Sequence, residues 1–208
     1  VFTLRISYHS FNKINNFTET LKPKKMIIVL AVIGVVVLAF IGMYNSLVRL
    51  RNNVKKSFAG IDVQLKRRTD LIPNLINTVK GYAAHEKELL ESLTKARTSI
   101  INGSASGNVN AMAEGENMLS GALKSIFAVA ENYPDLKANQ NFLELQESLE
   151  ETEDQIAASR RIYNENVNYL NTKIEVFPSN LIASMFGFTQ EELYTVVEED
   201  RKNVDVKF

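Results

Sequence analysis

The sequence contains no cysteine and only two histidines, His9 and His85, among its 208 residues. Without cysteine the chain can form no disulfide and offers no thiolate to a metal. Two histidines are too few for a zinc site of the usual His/Cys type, and they leave few candidates for a histidine-based triad. The sequence also shows no phosphate-binding glycine loop, nucleophile elbow or paired-carboxylate motif. We therefore expect no metal, no cofactor and no catalytic residues.

Acidic and basic residues balance at 24 each, but they are unevenly distributed. Residues 45–101 carry 11 Lys/Arg and 5 Asp/Glu (net +6), whereas residues 102–208 carry 8 and 18 (net −10). We expect the basic half to pack against the acidic half in one fold, with no nucleic-acid partner, because aromatic platforms are not interleaved with the cations. The acidic run ESLEETED, residues 147–154, lacks the glycine turn of a calcium loop and is interpreted as a solvated helical face.

Residues 26–44, MIIVLAVIGVVVLAFIGMY, form a run of nineteen residues without a charge. About twenty apolar residues span a bilayer as a helix, and the terminal tyrosine suits the lipid–water interface. No small-residue cleavage site follows, so the run predicts an uncleaved transmembrane anchor rather than a signal peptide. Four lysines or arginines lie within fifteen residues of the anchor on each side, so the positive-inside rule assigns no side.

Residues 1–25 precede the anchor, lack an initial methionine and show no clear periodicity. We leave this N-terminal extension outside the folded part, because Met26 offers an alternative start at the edge of the anchor. If Met26 is the start, the basic flank lies after the anchor, which would place the folded part in the cytoplasm.

From residue 45 onward apolar residues recur at helical spacing and no long strand pattern appears, which predicts an all-α fold. Asn102 and Gly103 predict a helix end and a loop over residues 100–108. A third helix is predicted over about 109–130, with Met118 among the residues available for its buried face. A long fourth helix keeps heptad spacing from Phe142 to Ile174. Short loops and heptad spacing favour an elongated antiparallel bundle of the four-helix type, standing on its anchor.

Pro73 interrupts the apolar stripe of the first helical region, within LKRRTDLIPNLINTVKGYAA. Proline is costly inside a helix, at about 3 kcal/mol, but it is tolerated in the first turn. Two interpretations are therefore open: one helix ends near Arg68 and another begins at Asp70, or one helix continues to about residue 82 with a kink at Pro73. The apolar register continues across Pro73, which favours the kink.

The C-terminal region begins where Pro178 interrupts the fourth helix. FPSNLIASMFGF, residues 177–188, predicts a short amphipathic helix that packs at the end of the bundle, although its apolar and aromatic residues also resemble an interfacial membrane segment. Thr189 followed by QEEL predicts a helix N-cap with acids in the first turn. Residues 189–208 are otherwise interpreted as a C-terminal tail.

A polar stripe follows one side of the fourth helix, because Arg160, Asn164, Asn168 and Asn171 are spaced three or four apart. One hypothesis is that this stripe meets polar residues near Pro73 in a buried network that fixes helix register. The alternatives are a stripe that binds a ligand or partner, and an exposed polar face. The candidate residues are Arg67, Arg68, Asp70, Asn74, Asn77, Arg160, Asn164, Asn168 and Asn171.

Three long strings closely resemble the LemA family of bacterial membrane proteins: residues 44–97, YNSLVRL…TKAR; residues 131–171, ENYPDLK…VNYLN; and residues 177–188, FPSNLIASMFGF. The resemblance covers nearly everything from the anchor to Phe188, so residues 45–188 are identified as a LemA-like helical bundle. It implies a single-pass anchor followed by an antiparallel bundle. It implies no enzymatic activity, cofactor or catalytic residue.

The features together favour a membrane-anchored, non-enzymatic scaffold or adaptor in the cell membrane. Its partners would be the lipid bilayer, through residues 26–44, and an unidentified protein or a second copy of the chain. The alternative is a ligand-sensing or accessory module that uses the polar stripe on the fourth helix.

Overall fold

The structure is a computed structural model, and it describes residues 23–195. Within that range the chain forms helices and no strand, which confirms the all-α class. The helices are α1 (Pro23–Lys80), α2 (Lys87–Ser106), α3 (Val109–Ala130), α4 (Pro134–Lys137), α5 (Gln140–Glu175) and α6 (Ser179–Met185). The predicted N-terminal extension lies outside the described residues, except that α1 already begins at Pro23.

The predicted anchor and the first bundle helix form one uninterrupted helix, α1, of 58 residues. At 1.5 Å per residue this helix is about 87 Å long. It is the one helix in the described range that is long and apolar enough to cross a membrane, and none of its apolar window is buried. An apolar surface without protein cover is typical of a lipid-facing span and not of a core helix.

Pro73 lies inside α1, so the interpretation in which a helix ends near Arg68 and another begins at Asp70 is wrong. Proline has no N–H to donate to the carbonyl of Thr69, four residues earlier. Thr69 is buried, and its carbonyl oxygen accepts a hydrogen bond from Nε of Arg97 on α2 at 3.0 Å. A side chain from a neighbouring helix thus replaces the missing backbone donor, which allows α1 to continue to Lys80.

Two antiparallel helix pairs make up the bundle. Along the first pair, α1 and α5, the Phe58 ring packs against Tyr163, and Arg68 pairs with Glu153 further from the anchor. The second pair, α2 and α3, packs on α1 only beyond about residue 60, where Asp62 accepts a hydrogen bond from Ser104 near the end of α2. The half of the α1–α5 pair nearer the anchor is covered instead by α6 and by the segment after it.

The turn between α2 and α3 lies later than the sequence predicts. Residues 100–106 are helical, and Gly107, with φ of 63°, forms the C-cap in the left-handed region. Gly103 is buried within α2, where a Cβ would lie 2.8 Å from the amide nitrogen of Met112. Gly103 therefore allows close packing between α2 and α3 and does not end the helix. For this reason the predicted loop over 100–108 is wrong.

The bounds predicted for the third and fourth helices are close to the observed ones. Helix α3 covers residues 109–130, and the heptad positions of α5 supply buried residues from Phe142 to Leu170. Asparagine side chains cap both helices, because Asn108 accepts from the amide of Ala111 and Asn139 accepts from that of Phe142. Met118 is 50% exposed, so it does not belong to the buried face of α3.

Residues 189–195 form no helix, so the helix start predicted at Thr189 is wrong. They run as an irregular segment against α3 and α5, with Tyr194 only 2% exposed. We name this segment, residues 189–195, the C-terminal strap. The bundle therefore extends past Phe188, and the rest of the predicted tail, 196–208, lies outside the described residues.

The contact between Arg97 and Thr69 predicts a coupling with Pro73. Substituting Arg97→Met leaves a buried carbonyl without its partner and is expected to lower the free energy of unfolding by about 1–3 kcal/mol. In a Pro73→Ala background the restored N–H can reach Thr69, so the same substitution should cost about 1 kcal/mol less. Denaturant unfolding of the detergent-solubilised chain measures both values, with Lys95→Met on the exposed side of α2 as the control. If Arg97→Met lowers the free energy of unfolding equally in the wild-type and Pro73→Ala backgrounds, this account of Pro73 is contradicted.

Candidate functional site: a buried polar network and the strap it holds

A carboxylate lies at the centre of the bundle interior. Glu116 is 1% exposed and falls in the apolar stripe of α3, four residues after Met112 and three before Leu119. Its Oε1 accepts a hydrogen bond from Nη1 of Arg160 on α5 at 2.8 Å. Its Oε2 accepts one from the hydroxyl of Tyr194 in the strap at 2.7 Å. The carboxylate therefore joins α3, α5 and the strap.

Burial and the neighbouring positive charge shift the pKa of this carboxylate in opposite directions. Burial raises the pKa of Glu116 above its usual range, while the Arg160 guanidinium and the hydrogen bond from Tyr194 both favour its charged form. Burial, together with the neighbouring Glu116, also raises the pKa of the Tyr194 phenol, which keeps the hydroxyl protonated as the donor. The carboxylate is thus held by one cation and one neutral donor, and both stabilise its charged form against the effect of burial.

A second buried cation, Arg68 of α1, lies beside this centre and is 3% exposed. One guanidinium nitrogen is 2.6 Å from a carboxylate oxygen of Glu153 on α5, and another donates to the Ser120 hydroxyl on α3 at 3.2 Å. Burial lowers the pKa of Arg68, and the charges of Glu153 and Glu116 oppose that shift. The network therefore contacts α1, α3, α5 and the strap.

The strap is bound through its main chain by two asparagines of α5. Asn164 donates to the carbonyl of Tyr194 at 3.0 Å and accepts from the amide of Tyr194 at 2.8 Å. Asn171 makes the same pair of bonds with Glu191, both at 2.9 Å. The seven residue steps from Asn164 to Asn171 rise about 10.5 Å along the helix, and the three from Glu191 to Tyr194 span about 10 Å when extended. The spacing of the two asparagines therefore matches the spacing of the two strap residues that they bind. The strap runs antiparallel to α5.

Tyrosines complete the contact between the strap and α5. The Tyr163 hydroxyl donates to the carbonyl of Glu192 at 2.9 Å, and its ring packs edge-on against Tyr194. Burial, followed by the nearby charges of Glu191 and Glu192, raises the pKa of Tyr163 to about 12. A phenol with this pKa stays protonated at neutral pH and acts as a fixed donor.

The nine residues predicted from the sequence do not meet in one network but lie in five different settings. Arg68 and Arg160 lie in the network, and Asn164 and Asn171 hold the strap. Arg67 and Asp70 form exposed ion pairs with Glu151 and Lys66. Asn74 and Asn77 line a shallow polar groove between α1 and α5, and Asn168 is exposed.

Glu116 and Tyr194 were not among the residues predicted from the sequence, although the position of Glu116 in the apolar stripe of α3 indicates that it is buried. A carboxylate at a core position of an amphipathic helix needs a buried partner. No sequence pattern indicates that Tyr194 is buried, because its burial depends on a strap without periodic spacing. Across residues 23–195, no group of three or more histidine or carboxylate side chains is positioned to hold a metal.

The asparagine contacts predict that Asn164→Leu destabilises the protein. The substitution removes two hydrogen bonds and strands a backbone N–H and C=O, so we expect a loss of about 2 kcal/mol and a melting temperature lower by about 4–8 °C. The matched control is Asn168→Leu, one turn away on the exposed face of α5, which should change stability by less than about 0.5 kcal/mol. An unchanged or raised melting temperature for Asn164→Leu would show that the strap is not held as described.

The structure has two defining features: an exposed apolar helix that continues into an antiparallel bundle, and a buried carboxylate and arginines that are paired inside that bundle. These features place the chain in the class of membrane-associated helical proteins. The chain belongs to the LemA family, whose sequence model matches residues 57–208. It is 28% identical over 174 residues to Protein LemA of Metamycoplasma hominis, covering 83% of this chain and 78% of that protein.

Magnetosome proteins are also similar to this chain. It is 26% identical over 199 residues to Magnetosome protein MamQ 2 of Paramagnetospirillum magneticum, and 21% identical over 197 residues to Magnetosome protein MamQ of Magnetospirillum gryphiswaldense. Each match covers 83% of this chain and 72% of the relative.

Proposed function

We propose that this protein is a single-pass, non-enzymatic adaptor in the cell membrane, whose helical bundle presents a surface to another protein. Residues 26–44 form the span, and residues 45–80 of α1 extend through the bundle for about 54 Å from the end of the span. The proposal is supported by the continuity of α1, because a rigid helix that is both span and bundle fixes the bundle's position above the membrane.

The observation that carries the proposal is an acidic row on α5. Glu147, Glu150 and Asp154 are exposed and lie opposite the side of α5 that buries Leu149 and Ile156. Like charges three or four residues apart destabilise a helix by about 0.2–0.5 kcal/mol per pair. A basic partner surface would neutralise the row, so the adaptor face is assigned to this side of α5.

The interior supports the non-enzymatic part of the proposal. Glu116, Arg68 and Tyr194, whose pKa values are shifted by their surroundings, are all engaged with one another or with neighbouring side chains. A general acid or base must reach a substrate proton. These groups face the packed interior, where they fix the positions of helices.

The test is recovery of a partner by affinity purification from detergent-solubilised membranes. The full chain is expected to bring down a protein at a fixed stoichiometry, and Glu147→Lys/Glu150→Lys should reduce that recovery at least tenfold, a loss of about 1.4 kcal/mol. The matched control is Glu88→Lys/Glu91→Lys, which makes the same charge change at exposed positions of α2. Equal recovery by both variants, at equal melting temperature, would overturn the assigned face.

A ligand-sensing role is the second candidate, and one observation favours it. Amide and carboxylate side chains line the shallow groove between α1 and α5, including Asn74, Asn77, Asn141 and Glu144. The polar stripe predicted for this role is less available, because Arg160, Asn164 and Asn171 already bind groups of the same chain. A small molecule that raises the melting temperature of the wild type but not of Asn77→Leu would favour this role.

A further inference from the structure

The region around α6 carries an apolar surface without protein cover. Residues 176–190 contain no charged side chain. Ile182 and Ala183 pack into the core, whereas Leu181 is 58% exposed and Met185 71% exposed. Leu181 and Met185 are four residues apart and therefore share one face of α6. Phe177, in the turn before α6, is 78% exposed.

This surface lies at the end of the membrane span. The Phe186 ring, just after α6, is 6.0 Å from the ring of Phe40 and 4.7 Å from that of Tyr44. Both partners belong to the uncharged run 26–44, and Phe40 lies about one helical turn inside its end. Phe186 is therefore level with the last turn of the span.

The charges next to this surface follow the layers of a bilayer. Arg51 lies about two turns beyond Tyr44, and its guanidinium is 4.9 Å from the Phe188 ring centroid. Going away from the span, the chain thus presents exposed apolar side chains first and a cation above them. Acyl chains followed by phosphate groups have the complementary order, and aromatic side chains are enriched at that boundary.

We propose that residues 176–186 form a second membrane contact, with Phe177, Leu181 and Met185 inserted into the interfacial region of the leaflet that α1 leaves. In water an exposed patch of this kind is unfavourable, and at the bilayer boundary each side chain transfers into lipid. The bundle would then be held at two places, the span and α6, which restricts its tilt. The proposal rests on residues 26–44 spanning the bilayer, as the proposed function requires.

Single tryptophans test this proposal cleanly, because the chain contains none. The full-length variants Phe177→Trp and Met185→Trp are reconstituted into phosphatidylcholine vesicles, with or without lipid brominated near the headgroup. Both should lose most of their fluorescence to the brominated lipid and resist quenching by aqueous acrylamide. Ile162→Trp, at a 56% exposed position about 18 Å along α5 from Ile174, is the control and should show the reverse.

Val36→Trp separates the two possible failures, because Val36 lies within the span. If Val36→Trp is quenched by mid-chain brominated lipid while Phe177→Trp and Met185→Trp behave like Ile162→Trp, the α6 contact is overturned and the span stands. Resistance of Phe177→Trp and Met185→Trp to both quenchers would place a protein surface over the patch and also overturn the proposal. Absence of lipid quenching at Val36→Trp would overturn the span and the α6 contact together.

Discussion

The Glu116 carboxylate is the constraint on which the arrangement of the helices depends. Burying a charge costs several kcal/mol unless it is paired and hydrogen-bonded, and both of its oxygens are satisfied by Arg160 and Tyr194. Those partners come from α5 and the strap, and neither lies near α3 in the sequence. Any packing that moved α5 or the strap away would leave the carboxylate buried and unpaired. The network therefore specifies one arrangement among the many that apolar contacts alone would tolerate.

These paired charges lie in the interior, apart from the exposed surfaces of the bundle. Arg68 and Glu153 extend the polar contacts to α1, so the helix that carries the exposed apolar run is tied to the rest of the bundle by an ion pair as well as by apolar packing. The outer side of α5 and the exposed side of α6 take no part in these contacts. A bundle held internally in this way can present a fixed acidic face at one level and an apolar face at another.

Local and periodic signals were sufficient for the anchor, for α3 and for α5, because hydrophobic spacing and proline positions determine them. They failed where a distant residue decides the outcome. Pro73 is tolerated because Arg97, from another helix, bonds the carbonyl that proline leaves free. Thr189 carries a helix-start signal, yet the main chain that a helix would need is bound by Asn164, 30 residues before Tyr194, and by Asn171, 20 residues before Glu191. Gly103 ends no helix because Met112 packs against it.

Hydrogen–deuterium exchange of the strap tests the central role of Glu116 most directly. In the wild type the peptide covering residues 189–195 should exchange slowly, because the amides of Glu191 and Tyr194 donate to asparagine side chains. In Glu116→Leu the Tyr194 hydroxyl and Arg160 lose their shared acceptor, so protection of the strap should fall towards that of an unstructured chain. Protection of residues 87–106 in α2 should persist and show that the bundle remains folded. Unchanged protection of the strap in Glu116→Leu would contradict the account.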